Sequence, residues 1–351
     1  MSSAEPLSAR ADAVRFRDAQ IEMAHGAGGK ASRRLIDGLI APLFGLSGSP
    51  LGDAAIVQLP GGQAALSTDA FVVRPLQFPG GSIGVLAVHG TVNDLLVAGA
   101  RPVALVATFI LEAGLPGEVL EREVRAMSVS AERSGVRIVG GDTKVVEHGQ
   151  ADGMYITTTG LGIVDERWHC SAATVRPGDL VLVSGPIGDH GITVLLARGE
   201  MDLDADLASD TRSVGTLVER LVNAAGPSIR WMRDPTRGGV ATALNELARD
   251  TGLGVTLFEE RIPVRDSVRG ACELLGLDML HIANEGQFIA VVASGAAEAA
   301  LEAIRSTAGG EGAAVIGEIR ETPARTVLGL SAYGGSRVID MLVGDPLPRI
   351  C

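Results

Sequence analysis

The sequence predicts an α+β protein of two domains, built from mixed sheets covered by helices and ending in an extended C-terminal tail. At 351 residues the chain exceeds the ~250–300 at which a single core usually divides. Apolar runs of period two alternate with stretches of helical periodicity along most of its length. Hydrophobic residues make up 46% and mean hydropathy is +0.27, enough apolar surface to fold. Aromatics are only 3% while glycines number 46, nearly double the ~7% average. The core is therefore aliphatic, and much of the backbone lies in tight turns or close to ligands.

Charge and cysteine content narrow the function classes. Net charge is −12 with no basic block, which argues against nucleic acid. An anionic ligand then requires a divalent cation or helix ends to offset the carboxylates. Cys170, Cys272 and Cys351 form no CxxC and no disulfide framework, which suits a reducing, cytoplasmic setting. The longest apolar run, Val103 to Leu111, is too short to span a bilayer, so no membrane role is expected.

Taken in order, residues 1–19 mix charges with small polar residues and read as a disordered leader. A first domain is expected over 20–171. Gln20–Ala24 reads as a short strand running into His25-Gly26-Ala27-Gly28-Gly29-Lys30, a loop open to two readings: a phosphate loop, or a loop that only caps a helix. The Walker template fails there, because Ala24 replaces its first Gly and Ala31 its Ser or Thr. Ala54–Leu59 and Gln63–Val73 form a hairpin around Pro60-Gly61-Gly62, with Ser67-Thr68-Asp69 breaking the second strand. Residues 82–98 read as a helix closed by Gly99, with His89, Thr91, Asn93 and Asp94 set in apolar sequence. Such polar groups are costly unless they meet a ligand, a metal or each other. Leu120, Val124, Met127 and Ala131 predict an amphipathic helix. Strand Val136–Val139 then delivers a turn, Gly140-Gly141-Asp142-Thr143-Lys144, before strand Tyr155–Val164.

A second domain is expected over 172–325, with strands at 180–184, 254–258, 287–293 and 314–319 and helices at 213–224, 266–275 and 296–308. Gly188-Asp189-His190-Gly191 and Arg233-Asp234-Pro235-Thr236-Arg237-Gly238-Gly239 each open a helix, and Thr236 is a candidate N-cap. Residues 326–351 supply final strands and a tail that ends in Pro346-Leu347-Pro348-Arg349-Ile350-Cys351. Its two prolines hold the segment extended. From Gly344 such a tail reaches on the order of 25 Å, enough to bring the Cys351 thiol into a cleft.

These motifs occur in one order: His25–Lys30, Ser67-Thr-Asp-Ala70, Thr91-Val-Asn-Asp94 with Gly99-Ala-Arg-Pro102, Gly140–Lys144, Gly188–Gly191, Arg233–Gly239, Asn284-Glu-Gly286 and Pro348-Arg-Ile-Cys351. In that order the chain closely resembles the [NiFe]-hydrogenase maturation factor HypE family, from about residue 20 to its end. The family belongs to the aminoimidazole-ribonucleotide-synthetase-like (PurM-like) ATP-binding superfamily. The central motifs are shared across that superfamily, whereas the Pro-Arg-Ile-Cys ending is specific to this branch.

The resemblance implies a PurM-like two-domain architecture and an ATP-dependent carbamoyl dehydratase. In that chemistry a HypF-like carbamoyltransferase loads the terminal thiol. ATP-driven dehydration of the thiocarboxamide then gives a protein thiocyanate, which supplies cyanide for hydrogenase iron through a HypC–HypD-like scaffold. By the family match, Asp69, Asp94 and Asp142 hold Mg²⁺, and His25, Gly26, Lys30, Asp53, Asn93 and Thr143 join them around ATP. Cys351 carries the reacting group, while Lys144 and Glu285 orient the carboxamide and move its proton. A homodimer through the first domain is expected, since the strand-rich stretches at 54–73 and 155–164 have edges to cover. Two other functions compete: a superfamily kinase or synthetase acting on a free small molecule, and a non-enzymatic thiol carrier. The first has no use for a terminal Cys, and the second no use for the Asp- and Lys-rich turns.

Overall fold

Two mixed sheets organise the protein, whose computed structural model describes residues 15–46, 51–168, 170–199, 205–344 and 347–351. The first part comprises α1 (Lys30–Leu35), α2 (Ala41–Leu43), β1 (Ala55–Leu59), β2 (Gly62–Phe71), a short hairpin of β3 (Gln77–Phe78) and β4 (Gly81–Ser82), α3 (Ile83–Val97), β5 (Ala100–Glu112), α4 (Gly117–Arg133), β6 (Arg137–Val146) and β7 (Met154–Val164). Its five-stranded sheet has the order β1-β2-β7-β5-β6, antiparallel except where β5 meets β6.

The second part comprises β8 (Leu180–Val183), α5 (Asp189–Ala197), α6 (Gly215–Ala225), β9 (Ile229–Arg233), α7 (Gly239–Thr251), β10 (Gly254–Phe258), α8 (Asp266–Leu275), β11 (Ile289–Val292), α9 (Ala297–Arg305), β12 (Ala314–Arg320), β13 (Val327–Leu330) and β14 (Ser336–Ile339). Its seven-stranded sheet runs β14-β13-β10-β12-β8-β11-β9. The final strands β13 and β14 therefore complete this sheet. Buried aliphatic side chains of α7 cover one of its faces, and those of α6 and α9 the other.

Helix α3 is buried almost all round, which explains its apolar sequence and places its polar residues deep in the molecule. It packs with α4 against one face of the first sheet. In α4 the expected stripe is displaced: Val124 is exposed, and Glu123 is fully buried instead. The reason is capping, because the Glu123 carboxylate accepts the Gly84 N–H at 3.1 Å in the first turn of α3.

Several expectations change. Gln20–Ala24 is not a strand; the chain forms a single tight turn at Met23–Gly26. The leader lies outside the described residues as far as 14, but residues 15–19 are tied down. The Phe16 N–H bonds Gly38 O, and the Phe16 ring meets His25 edge-on. Gly140–Lys144 is not a turn: paired residue by residue with β5, it continues edge strand β6. Strand β9 escaped the sequence reading, because Arg230 and Arg233 break its apolar pattern. Pro346 lies outside the described residues. The last residues turn at Leu347–Arg349 rather than staying extended, with Arg349 at φ 56°.

Candidate active site

Three acidic residues from separate segments converge between the two parts of the molecule. Asp53 precedes β1, Asp94 sits in α3 and Asp234 follows β9, and each offers a carboxylate oxygen within 4.8 Å of the others. Asp69 on β2 hydrogen-bonds Asp94 at the edge of this group, and the Ser67 hydroxyl donates to Asp94 Oδ2. Arg233 offsets part of the charge, at 2.6 Å from Asp53 and 3.0 Å from Glu246. The loop carrying Asp234 can approach this closely because Gly238 and Gly239 have φ of 79° and 61°. A Cβ on Gly239 would stand 2.5 Å from the Leu280 carbonyl oxygen.

Burial dominates the electrostatics. It raises Asp94 well above the usual carboxylate range, and Asp69, Asp234 and Asp53 add repulsion. Asp53 is raised the same way, although Arg233 opposes the shift. Asp234 is pushed to about 6 by burial, against Arg233 and with Asp69. Buried acids that repel one another and accept few hydrogen bonds are suited to a hard cation.

The tail meets this cluster from the other side. Val72 N–H donates to Cys351 O at 3.1 Å, and Arg74 N–H to Arg349 O at 3.3 Å, so the last residues lie along the end of β2. His190, wholly buried, donates from Nε2 to Ile350 O at 3.0 Å and accepts from Ser209 Oγ at Nδ1. Arg198 donates to the carbonyls of Pro348 and Arg349. Leu347 and Ile350 join the core shared by α3 and α8. The Cys351 thiol is thus buried against Glu285, to which it is hydrogen-bonded. Burial pushes it to about 12; Arg237 counters this, while Glu285 and Asp69 reinforce it. Glu285 is raised well above its ordinary value by burial and then by Asp234, Asp210 and Asp69. Its backbone is pinned by Asp210, which accepts the Glu285 and Gly286 N–H groups at 3.1 Å each.

The sequence-predicted residues divide sharply. Asp53, Asp69, Asp94, Glu285 and Cys351 come together. His25 does not face a phosphate: its ring is buried, with Nε2 on Asp18 at 2.8 Å and Nδ1 on the Glu22 N–H. Lys30 pairs with Asp340, and Gly26 O accepts from Arg237. Asn93 has no N–H left for a phosphate, since it donates to Arg212 O and Glu285 O, and its Oδ1 accepts the Val214 N–H. It is a strut between the two parts. Asp142 does not join the carboxylate cluster: it is exposed on β6, bonded to Lys144 at 2.7 Å and to the Thr143 N–H. Register pairs Asp142 with Thr108 and Lys144 with Ile110, so both lie on the sheet face opposite α3 and α4. Asp234 lies within Arg233–Arg237, a segment expected to line the site but given no role from sequence.

Comparison with known proteins bears on what this geometry serves. The N-terminal domain model of AIR synthase related proteins matches residues 51–164, and the C-terminal model residues 176–328. Carbamoyl dehydratase HypE of Azotobacter vinelandii is 49% identical over 337 residues, spanning 96% of this chain and 98% of the relative. The chain belongs to the HypE family. A HypE–HypF complex contains a chain 44% identical, with TM-score 0.81 over 87% of this chain and 99% of that one. A HypE crystal structure in complex with ATP is 45% identical, with TM-score 0.79 over 94% and 99%. The α+β, PurM-like fold read from the sequence is that of HypE. Among the described residues no helix is long and apolar enough to cross a membrane.

Proposed function

We propose that this HypE-family chain is an ATP-dependent carbamoyl dehydratase acting on its own Cys351, converting the S-carboxamide to a thiocyanate that supplies cyanide for [NiFe]-hydrogenase iron. One observation carries the reading: the thiol of the last residue in the sequence is buried beside Glu285 and the carboxylate cluster. Asp53, Asp94 and Asp234 would hold Mg²⁺, with Asp69 behind them, because hard oxygen donors at this spacing suit that ion. Bound Mg–ATP supplies the phosphoryl group that makes the amide oxygen a leaving group.

The chain's own residues position and deprotonate the carboxamide. Arg198 and His190 hold the backbone carbonyls of Pro348, Arg349 and Ile350, which presents the Cys351 side chain to Glu285. Glu285 stands against that sulfur and is the base for the amide nitrogen. Offsetting the charge of Asp234 and Asp69 removes two of the interactions that raise Glu285, so a loaded cluster favours its carboxylate form.

A homodimer accounts for Asp142 and Lys144; Thr143, paired with Phe109, lies on the helix-covered face instead. The open sheet face leaves Leu66, Val106, Ile110, Leu161 and Ile163 exposed, an apolar surface that a second copy would cover. Asp142 and Lys144 then enter that interface, where Lys144 helps orient the carboxamide. Further parts of the proposal are a HypF-like donor of the carbamoyl group, a HypC–HypD-like acceptor of cyanide, a cytoplasmic site of action and two domains that divide near 171, the second including β13 and β14. The test is intact mass after incubation with carbamoyltransferase, carbamoyl phosphate and Mg–ATP. A carbamoyl adduct on Cys351 that loses water only when ATP is present supports the reading. An adduct on Cys170 or Cys272, or dehydration without ATP, refutes it.

A further inference from the structure

A second basin lies on the helical side of the molecule, between α3 and α4 of the first part and α6 of the second. It is an open groove of about 1160 Å³, somewhat larger than the ~300–1,000 Å³ of a typical small-molecule site. Its walls carry Arg122, Arg125, Arg133, Arg212 and Arg220. The acid among its lining residues, Glu219, is already bound by Arg167. Among the described residues Arg133 and Arg220 make no ion pair, and both are exposed. In a chain of net charge −12 such a concentration of cations is against the grain.

The groove is also incompletely satisfied. His89 on α3 lines it and is 8% exposed, yet its Nδ1 is buried without a hydrogen-bond partner. The Ser134 hydroxyl, also in the lining, is likewise buried and unpartnered. Unpaired buried polar groups cost free energy unless a ligand or water meets them. Burial, aided by Arg133, holds the His89 imidazole down at about 4, so it is neutral at physiological pH and offers one N–H and one lone pair.

We infer that this groove is a second anion site, shaped for a small phosphate-bearing molecule and separate from the carboxylate cleft. Guanidinium groups match phosphate oxygens in geometry and charge. The arginines stand around a recess between two parts of the fold, with His89 at its wall, which favours a compact ligand over a protein surface. The segment that floors the groove also faces the cleft: Asn93 grips the Arg212 carbonyl and the Val214 N–H, and Arg212 donates to Gly286 O beside Glu285.

The probe is inorganic pyrophosphate, titrated by calorimetry into the full-length protein in excess EDTA. Without a divalent cation the acidic cleft repels the probe. The Arg133→Gln/Arg220→Gln double variant changes only exposed side chains, and a far-UV spectrum and melting curve verify its folding. The expected result is single-site binding to the wild type, about tenfold or more weaker in the double variant and unchanged in Asp94→Asn. The inference is overturned if the wild type does not bind, if the double variant binds equally well, or if Asp94→Asn abolishes binding.

Discussion

Replacing Asp234 by Asn isolates the electrostatic cost of the carboxylate cluster. The side chain keeps its size and its ability to bond Asp94, but loses its charge. Burial raises this acid from 3.8 to about 6, with Arg233 opposing and Asp69 adding to the shift. A shift of that size corresponds to about 3 kcal/mol of differential stability between the two protonation states. The sign follows from linkage: the folded state binds this proton more tightly than the unfolded chain. The penalty is therefore absent below about pH 4, grows as pH rises through the range from 4 to 6, and is complete above it. With divalent cations removed, Asp234→Asn should be more stable than wild type by up to about 3 kcal/mol near neutral pH. For a cooperative transition in a chain of this length that is about 4 °C in Tm. The two proteins should converge near pH 4. Added Mg²⁺ should raise the wild-type Tm and move the variant much less, because one ligand is gone. Scanning calorimetry with EDTA and then Mg²⁺, at two pH values, measures all of this. A variant that melts lower than wild type in EDTA, or responds fully to Mg²⁺, would refute the cluster as a cation site.

Other outcomes follow from the same geometry. Glu285→Gln should still accept a carbamoyl group from the carbamoyltransferase yet accumulate the thiocarboxamide in the presence of ATP, as read by intact mass. Lys144→Ala should do the same only if a second copy completes the cleft, so sedimentation of the wild type should show a dimer at micromolar concentration. Arg198→Ala removes the donor to the Pro348 and Arg349 carbonyls. Iodoacetamide should then alkylate Cys351 faster, by at most about 1000-fold, because release returns the thiol from about 12 to its ordinary 9.0. Cys351→Ala should abolish product. Cys170→Ala and Cys272→Ala should be nearly silent, since neither thiol lies on the tail that the proposed chemistry uses.

By itself the sequence determined the alternation of strands and helices, the α+β class and the family. Each rests on local pattern: periodicity sets the elements, and glycines at fixed offsets set the loops. Polar residues set in the apolar stretch 82–98, Asp94 among them, stand out by their burial cost, whereas Asp53, Asp69 and Glu285 are marked by the family resemblance and Cys351 by its place on the tail. Tertiary structure decided which polar residues are machinery and which are framework. Asn93 sits beside Asp94 in the chain, but a helix turns consecutive side chains about 100° apart, so one braces α3 against residues 212–214 while the other faces the carboxylates. The His25 loop has the composition of a phosphate loop, yet Asp18 and the Glu22 N–H occupy its imidazole. Asp142 and Lys144 show the opposite limit. Strand register puts both on the open face of the first sheet, away from the carboxylate cluster, which residue type alone does not reveal. Asp234, 140 positions from Asp94 in sequence numbering, joins it only because β9 and α3 end at the same point in space. Convergence of that kind is a property of long-range packing, which local pattern does not encode.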